Sequence, residues 1–216
     1  MADPAALGRF ITLEGGEGAG KSTQARRLAA WLGARGIDCL LTREPGGSPG
    51  AEAIRGLLVT GEPGRWDAVT EALLMNAARR DHVVRTIRPA LAAGRWVICD
   101  RFTDSTLAYQ GYAGGVPLAT LHALIDAAVE DTRPDLTLVL DIAPAAGLAR
   151  TLRGGDGTEA RFERMGMRFH NAVRDGFLKL AAEDPARCIV IDVGPPEPVV
   201  SDAIVVAVAR RLGLKS

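Results

Sequence analysis

Three cysteines, an odd number, stand at 39, 99 and 188 of a 216-residue chain, each inside an apolar run. That spacing argues against a disulfide framework or a cysteine metal cluster and suits reduced thiols packed as small hydrophobes. Net charge is also lacking, since 26 basic side chains cancel 26 acidic ones. Neither a nucleic-acid polyanion nor a membrane surface is expected as the main partner. No window reaches the ~18 apolar residues of a membrane span, and the opening "MADPAALGRF" has no basic stretch before an apolar core. The expectation is a cytoplasmic protein. Internal repeats and low-complexity linkers are absent too, and the length suits one domain over 1–216. Lysine is scarce: only Lys21, Lys179 and Lys215 occur among the 26 basic residues.

What is present is an alternation. The runs "RFITLE", "IDCLLT", "RWVICD", "LTLVLD" and "CIVIDV" are apolar without polar alternation, as parallel strands covered on both faces require. Between them "KSTQARRLAAWLGARG", "VTEALLMNAARRDHVVRTIRPALAAG", "VPLATLHALIDAAVED" and "PAAGLARTLRG" repeat apolar residues at helical spacing. The fold class is α/β: five parallel strands flanked by helices in three layers, with right-handed crossovers. Two Gly-rich segments, "REPGGSPG" and "RGGDGTEARFE", interrupt the pattern. They belong at the carboxyl ends of the strands, where open α/β sheets place ligands.

Gly15, Gly20, Lys21 and Ser22 fit G-x-x-x-x-G-K-[ST] between a strand and a helix. Glycines let successive N–H groups turn inward, the helix N-terminus adds partial positive charge, Lys21 neutralises phosphate oxygens, and the Ser22 hydroxyl suits Mg²⁺. The rarity of lysine gives weight to the one in the motif. "WVICD" ends on Asp100, a carboxylate at a strand's carboxyl end, followed at once by Arg101. Asp141 ends a similar run but leads into a helix start.

Two classes of phosphate-loop protein compete. A nucleotide-hydrolysing switch needs an Asn-Lys-x-Asp reader, which three lysines do not supply. A small-molecule kinase needs a second anion site, an acceptor reader and an arginine-bearing lid. In "FITLEGGEGAGKSTQ", "TREPGGS", "AARRDHV", "DRFTDSTLAYQG" and "RFE", in that order, the chain resembles the bacterial thymidylate kinases over roughly 10–192.

The resemblance implies the three-layer P-loop NTPase fold, transfer of the ATP γ-phosphate to dTMP with Mg²⁺, and a homodimer. It implies ATP over Gly15, Gly16, Glu17, Gly18, Ala19, Gly20, Lys21, Ser22 and Thr23, with Arg150 near the adenine and Mg²⁺ at Ser22 and Asp100. For dTMP it implies Arg43 and Arg101 at the phosphate, Arg79 at the thymine, and Thr106, Tyr109 and Gln110 at base and sugar. The Tyr109 ring would crowd a ribose 2′-hydroxyl. Glu17 would turn from the ATP phosphates to the acceptor's 3′-hydroxyl and pair with an arginine. The nearest alternative is another nucleoside monophosphate or deoxynucleoside kinase on the same scaffold.

The chain also departs from the family pattern. Gly18 stands where some members carry an arginine after the loop acid, so the charge on the transferring group is expected from a short lid over 150–163. Arg153 is the expected main donor and Arg161 the second. Met75 stands where a phenylalanine usually stacks on the base, and "ARFE" replaces the commoner "DRFE". His82, inside an amphipathic helix, reads as a structural histidine without a catalytic role.

Overall fold

The computed structural model describes residues 8–154 and 161–214, without the side chains of 152–154. Its five strands are the five apolar runs: β1 (Phe10–Glu14), β2 (Cys39–Arg43), β3 (Trp96–Asp100), β4 (Leu136–Asp141) and β5 (Cys188–Asp192). All pairings are parallel, in the order β2-β3-β1-β4-β5. β1 lies in the middle, so its carboxyl end opens into the crevice between its neighbours.

Alternate side chains feed two cores. Ile11 and Leu13 of β1, Ile98 of β3 and Leu138 and Leu140 of β4 pack with α1 (Lys21–Gly33) and α9 (Glu197–Leu212) through Leu28, Leu32, Ile204 and Val208. Phe10, Val97 and Cys99 face the opposite layer, with Val83, Ile87, Leu121 and Ile125. That layer holds α3 (Ala68–His82), α4 (Arg88–Ala92) and α6 (Leu118–Val129). Val139 and Cys188 meet Phe177 of α8 (Met167–Glu183). Burial of such side chains at about 25 cal/mol per Å² is the main term holding the layers together. Two threonines interrupt the apolar strands; Thr12 and Thr137, both 0% exposed, bond to each other at 2.7 Å, which satisfies the hydroxyls. The three cysteines are free thiols, two of them buried.

The long helical stretch expected over 69–94 is continuous but not uniform. Asp67 caps α3 through Val69 N and Thr70 N. Residues Val83–Ile87 then widen into a π turn, in which Arg88 N–H reaches back to Val83 O. Pro89 follows; lacking an N–H, it cannot continue the α-helical ladder, and a widened turn absorbs the mismatch. Helices α2 (Pro49–Val59), α5 (Thr103–Thr106), α8 and α9 were not among the expected helical stretches. Helix α5 runs into a second π segment, Leu107–Ala113. The "PAAGLARTLRG" stretch forms α7 (Pro144–Gly154). Among the described residues no helix is long and apolar enough to cross a membrane.

Candidate active site

The carboxyl ends of β1, β2 and β3 carry Glu14, Arg43 and Asp100, and the loops beyond them enclose a cavity of about 400 Å³. Of the expected residues, Glu17, Gly18, Gly20, Lys21, Ser22 and Thr23 of the phosphate loop line it. Arg43, Met75, Arg79, Asp100, Arg101, Thr106, Tyr109 and Gln110 from the other elements line it too. Arg150 does not line it; its Nη2 donates to Val193 O at 3.1 Å. Arg153 has its backbone in α7, while its side chain lies outside the described residues, as do residues 155–160 of the segment expected to form the lid.

The phosphate loop is shaped by close approach. Gly18 has φ +66°, and a Cβ there would meet Gly147 O of α7 at 1.9 Å. A Cβ on Gly147 would meet Glu17 O at 2.2 Å. Two glycines therefore let α7 sit directly on the loop, and position 18 has room for no side chain. An arginine at 18 is incompatible with this placement of α7.

Lys21 closes the loop on itself, its Nζ donating to Gly16 O at 2.8 Å and Gly15 O at 3.2 Å. Burial, helped by nearby Arg101, brings the Lys21 ammonium down to a pKa of about 8. The Ser22 hydroxyl donates to Asp100 Oδ2. These two hard oxygens form a pair suited to Mg²⁺, which takes one or two protein ligands and fills its octahedron with phosphate oxygens and water. Among the described residues no group of three or more His, Cys, Asp or Glu side chains forms an all-protein metal cage.

Glu17, the acid in the phosphate loop, pairs with Arg101 and Tyr109. Its Oε1 accepts from Arg101 Nη2 at 3.0 Å and from the Tyr109 hydroxyl at 2.7 Å. Burial opposes its ionisation, but Arg101, Lys21 and the Tyr109 hydrogen bond outweigh burial and hold its pKa at about 2. Arg101 has φ +69°, rare for a residue with a Cβ, and also donates to Gly15 O at 3.0 Å. Burial works against the Arg101 charge, yet Tyr109, Glu17 and Asp100 keep it firmly cationic.

Arg79 is 2% exposed, anchored by Glu44 Oε2 (2.8 Å), Asn76 Oδ1 (2.9 Å), Phe102 O (3.0 Å) and Thr106 Oγ1 (3.1 Å). Met75 lies one turn earlier on the same face of α3. The π segment of 107–113 presents Tyr109 and Gln110 to the cavity, and the Tyr109 ring meets Phe162, Phe169 and Phe177 edge-on. Gln110 Nε2 donates to Glu71 Oε2 at 3.1 Å. Arg161 has a different place from the one expected. It is 2% exposed, absent from the cavity lining, with Nε on Leu58 O at 2.8 Å and its terminal nitrogens on Glu71. Glu71, a largely covered carboxylate of α3, needs a cation, and Arg161 supplies it.

Several site residues escaped the sequence reading. Arg55, Glu44, Ser105, Phe162 and Glu163 also line the cavity, and Arg55 Nη1 donates to Pro45 O at 2.6 Å. Glu14, 0% exposed, accepts from Phe102 N at 2.8 Å and from the Ser105 hydroxyl at 2.6 Å, pinning the turn that carries Arg101. A strand-terminal acid was legible for Asp100. At Glu14 the same signal was passed over as the start of the phosphate loop.

The sequence model of the family described as thymidylate kinase matches residues 13–204. The thymidylate kinase of Caulobacter vibrioides is 55% identical over 208 residues, covering 96% of this chain and 99% of that protein. The thymidylate kinase of Afipia carboxidovorans is 52% identical over 206 residues, covering 95% and 90%. In three dimensions, the crystal structure of thymidylate kinase from Ehrlichia chaffeensis superposes with a TM-score of 0.76 at 35% identity, over 94% of this chain and 98% of the other.

Proposed function

This chain belongs to the thymidylate kinase family, and from that premise we propose that it transfers the γ-phosphate of ATP to dTMP, giving dTDP and ADP. It is an enzyme of the kinase class with the P-loop NTPase fold. The observation that supports the specific reading is one cavity lined by the phosphate-loop Lys21 together with Arg43, Arg79 and Arg101. Lys21 and Arg101 both donate to Gly15 O, and Glu17 accepts from Arg101 and Tyr109 in the same lining.

The chemistry follows from positioning and charge, with no covalent enzyme intermediate. Lys21 would exchange the Gly15 and Gly16 carbonyls for donor phosphate oxygens. Arg43 and Arg101 would seat the acceptor phosphate, and Arg79 with Thr106 and Gln110 would hold the base. Glu17 accepts hydrogen bonds only, so it suits a sugar hydroxyl, while its pairing with Arg101 offsets its repulsion from phosphate. Ser22 and Asp100 would hold Mg²⁺, which when bound neutralises charge on the transferring phosphates. Because position 18 is closed by Gly147, the remaining charge falls to α7, the helix seated on the loop, and Arg153 is the proposed donor. Arg161 would reach the transferring group only by leaving Glu71.

A cytoplasmic homodimer completes the reading. Val69, Leu73 and Val84 stay 46%, 51% and 44% exposed along one face of α3 and the turn after it, an apolar stripe suited to a second copy. ADP release with Mg-ATP, compared across dTMP, dUMP, dGMP, UMP, thymidine and no acceptor, tests the function. Turnover is expected to be strongest with dTMP. A preference for thymidine, or hydrolysis independent of acceptor, would overturn the reading.

A further inference from the structure

His82, 0% exposed at the last turn of α3, uses both ring nitrogens. Nδ1 lies 3.0 Å from Glu44 Oε1, and Nε2 lies 2.7 Å from Thr42 Oγ1. A carboxylate only accepts, so the proton sits on Nδ1 and Nε2 accepts from the threonine hydroxyl. The other oxygen of Glu44 takes Nε of Arg79 at 2.8 Å. Histidine, carboxylate and guanidinium thus form one buried chain.

The loop after β2 wraps the same imidazole. A Cβ on Gly47 would come within 2.3 Å of His82 Nε2 and 2.4 Å of Thr42 Oγ1. Thr86, one turn after His82, donates to Gly47 O at 2.8 Å. That loop follows directly on Arg43, the last residue of β2, and bears the Pro45 carbonyl that accepts from Arg55.

Arg79 has five N–H groups, and Glu44, Asn76, Phe102 and Thr106 occupy four. One N–H on Nη1 is left for the cavity. Its direction is set by how Glu44 holds Nε, and Glu44 is held in turn by His82.

We propose that His82 is a positioning residue that couples the base-reading Arg79 to the acceptor-phosphate loop of 42–47, so that both halves of the acceptor site are set by one side chain. This rests on the dTMP kinase reading and extends it. A histidine that merely filled core volume would be replaced by leucine with changed stability and unchanged recognition. A positioning histidine would not.

Steady-state kinetics with Mg-ATP on the wild type, His82→Leu and His82→Asn separate the two. His82→Leu is expected to raise KM for dTMP about tenfold or more, the usual scale for losing a hydrogen bond to a charged group. It should leave KM for ATP within about twofold. It should also narrow the preference for dTMP over dCMP, since a misdirected N–H no longer selects an acceptor oxygen. His82→Asn, whose amide N–H can replace Nδ1–H, should recover much of both. Unchanged dTMP KM and selectivity in His82→Leu would overturn the proposal, as would equal losses in the two variants. Failure of the kinase reading shows separately, as absent dTMP turnover in the wild type. Should His82→Leu not fold, long-range ¹H–¹⁵N correlation on the wild type, which has three histidines, is expected to show the Nδ1–H tautomer for His82. The Nε2–H tautomer would sink the hydrogen-bond chain.

Discussion

Replacing Glu14 by glutamine isolates the cost of a buried acid beneath the phosphate loop. Burial and the nearby Asp104 raise the Glu14 pKa from 4.5 to about 7, against the hydrogen bonds from Ser105 and Phe102. The folded protein therefore keeps a proton between about pH 4.5 and 7 that the unfolded chain has released. The stability this group contributes is fully present below 4.5 and is lost as pH rises through 7. The shift corresponds to roughly 3 kcal/mol between the two limits. Glutamine cannot ionise. Its Oε1 keeps the amides of Phe102 and Ser105, and its amide nitrogen can donate to the Ser105 hydroxyl, which in the wild type donates to Glu14 Oε2. Guanidinium unfolding at pH 5, 6, 7 and 8 should show the variant gaining on the wild type by up to about 3 kcal/mol as pH rises. Carboxylates with lowered pKa, such as Asp81 and Asp184, titrate at lower pH in both proteins and cancel in the difference. A difference that stays flat within about 0.5 kcal/mol from pH 5 to 8 would refute the assignment.

Three further outcomes follow from the site. Glu17→Gln leaves the Arg101 guanidinium without its carboxylate partner; KM for dTMP should rise by about tenfold to a hundredfold, and a change below twofold would remove Glu17 from acceptor binding. Tyr109→Phe loses the 2.7 Å bond to Glu17 but keeps the ring packed against Phe162, Phe169 and Phe177, so discrimination against ribonucleotide acceptors should survive. Its loss in Tyr109→Phe would show that the hydroxyl, not the ring, excludes the 2′-hydroxyl. Arg153→Ala should lower kcat by about 10³ or more, far beyond any rise in KM for ATP, and an unchanged kcat would end its role as charge donor.

The five strands were legible because parallel strands covered on both faces need unbroken apolar runs, and the chain contains five. The phosphate loop was legible because its geometry is local: glycines, a lysine and a hydroxyl within eight residues. The arrangement around Arg79 was not. Glu44 is 35 positions from Arg79 and 38 from His82, and Glu14 is 91 from Ser105. No spacing rule links such residues; only the sheet order, which places β2 and β1 on either side of β3, brings them together. Gly18 illustrates the same limit. Sequence shows that the arginine is missing, whereas only the structure shows that a helix more than a hundred residues later brings Gly147 O where a side chain at 18 would begin. The Arg161–Glu71 pair was not legible because the two lie 90 residues apart, with Glu71 on a helix whose inner face was read only for Met75 and Arg79.

The cavity's cations already have partners. Lys21 holds the Gly15 and Gly16 carbonyls, Arg43 holds Glu52, Arg101 holds Glu17, and Arg79 holds Glu44. Phosphate binding as proposed would therefore be an exchange of partners, with a net gain smaller than the count of positive groups suggests. The exchange differs by site. Arg43 and Glu52 are 53% and 45% exposed, so that pair is weak and readily surrendered. Arg79 and Glu44 are 2% and 4% exposed, and separating them would strand two buried charges. On the proposed roles, the outer pair could move with the arriving acceptor, while the inner pair would have to be set beforehand. Recognition of the base would then be built into the folded chain, and the first capture of the phosphate would fall to Arg43, the arginine that can most readily let go.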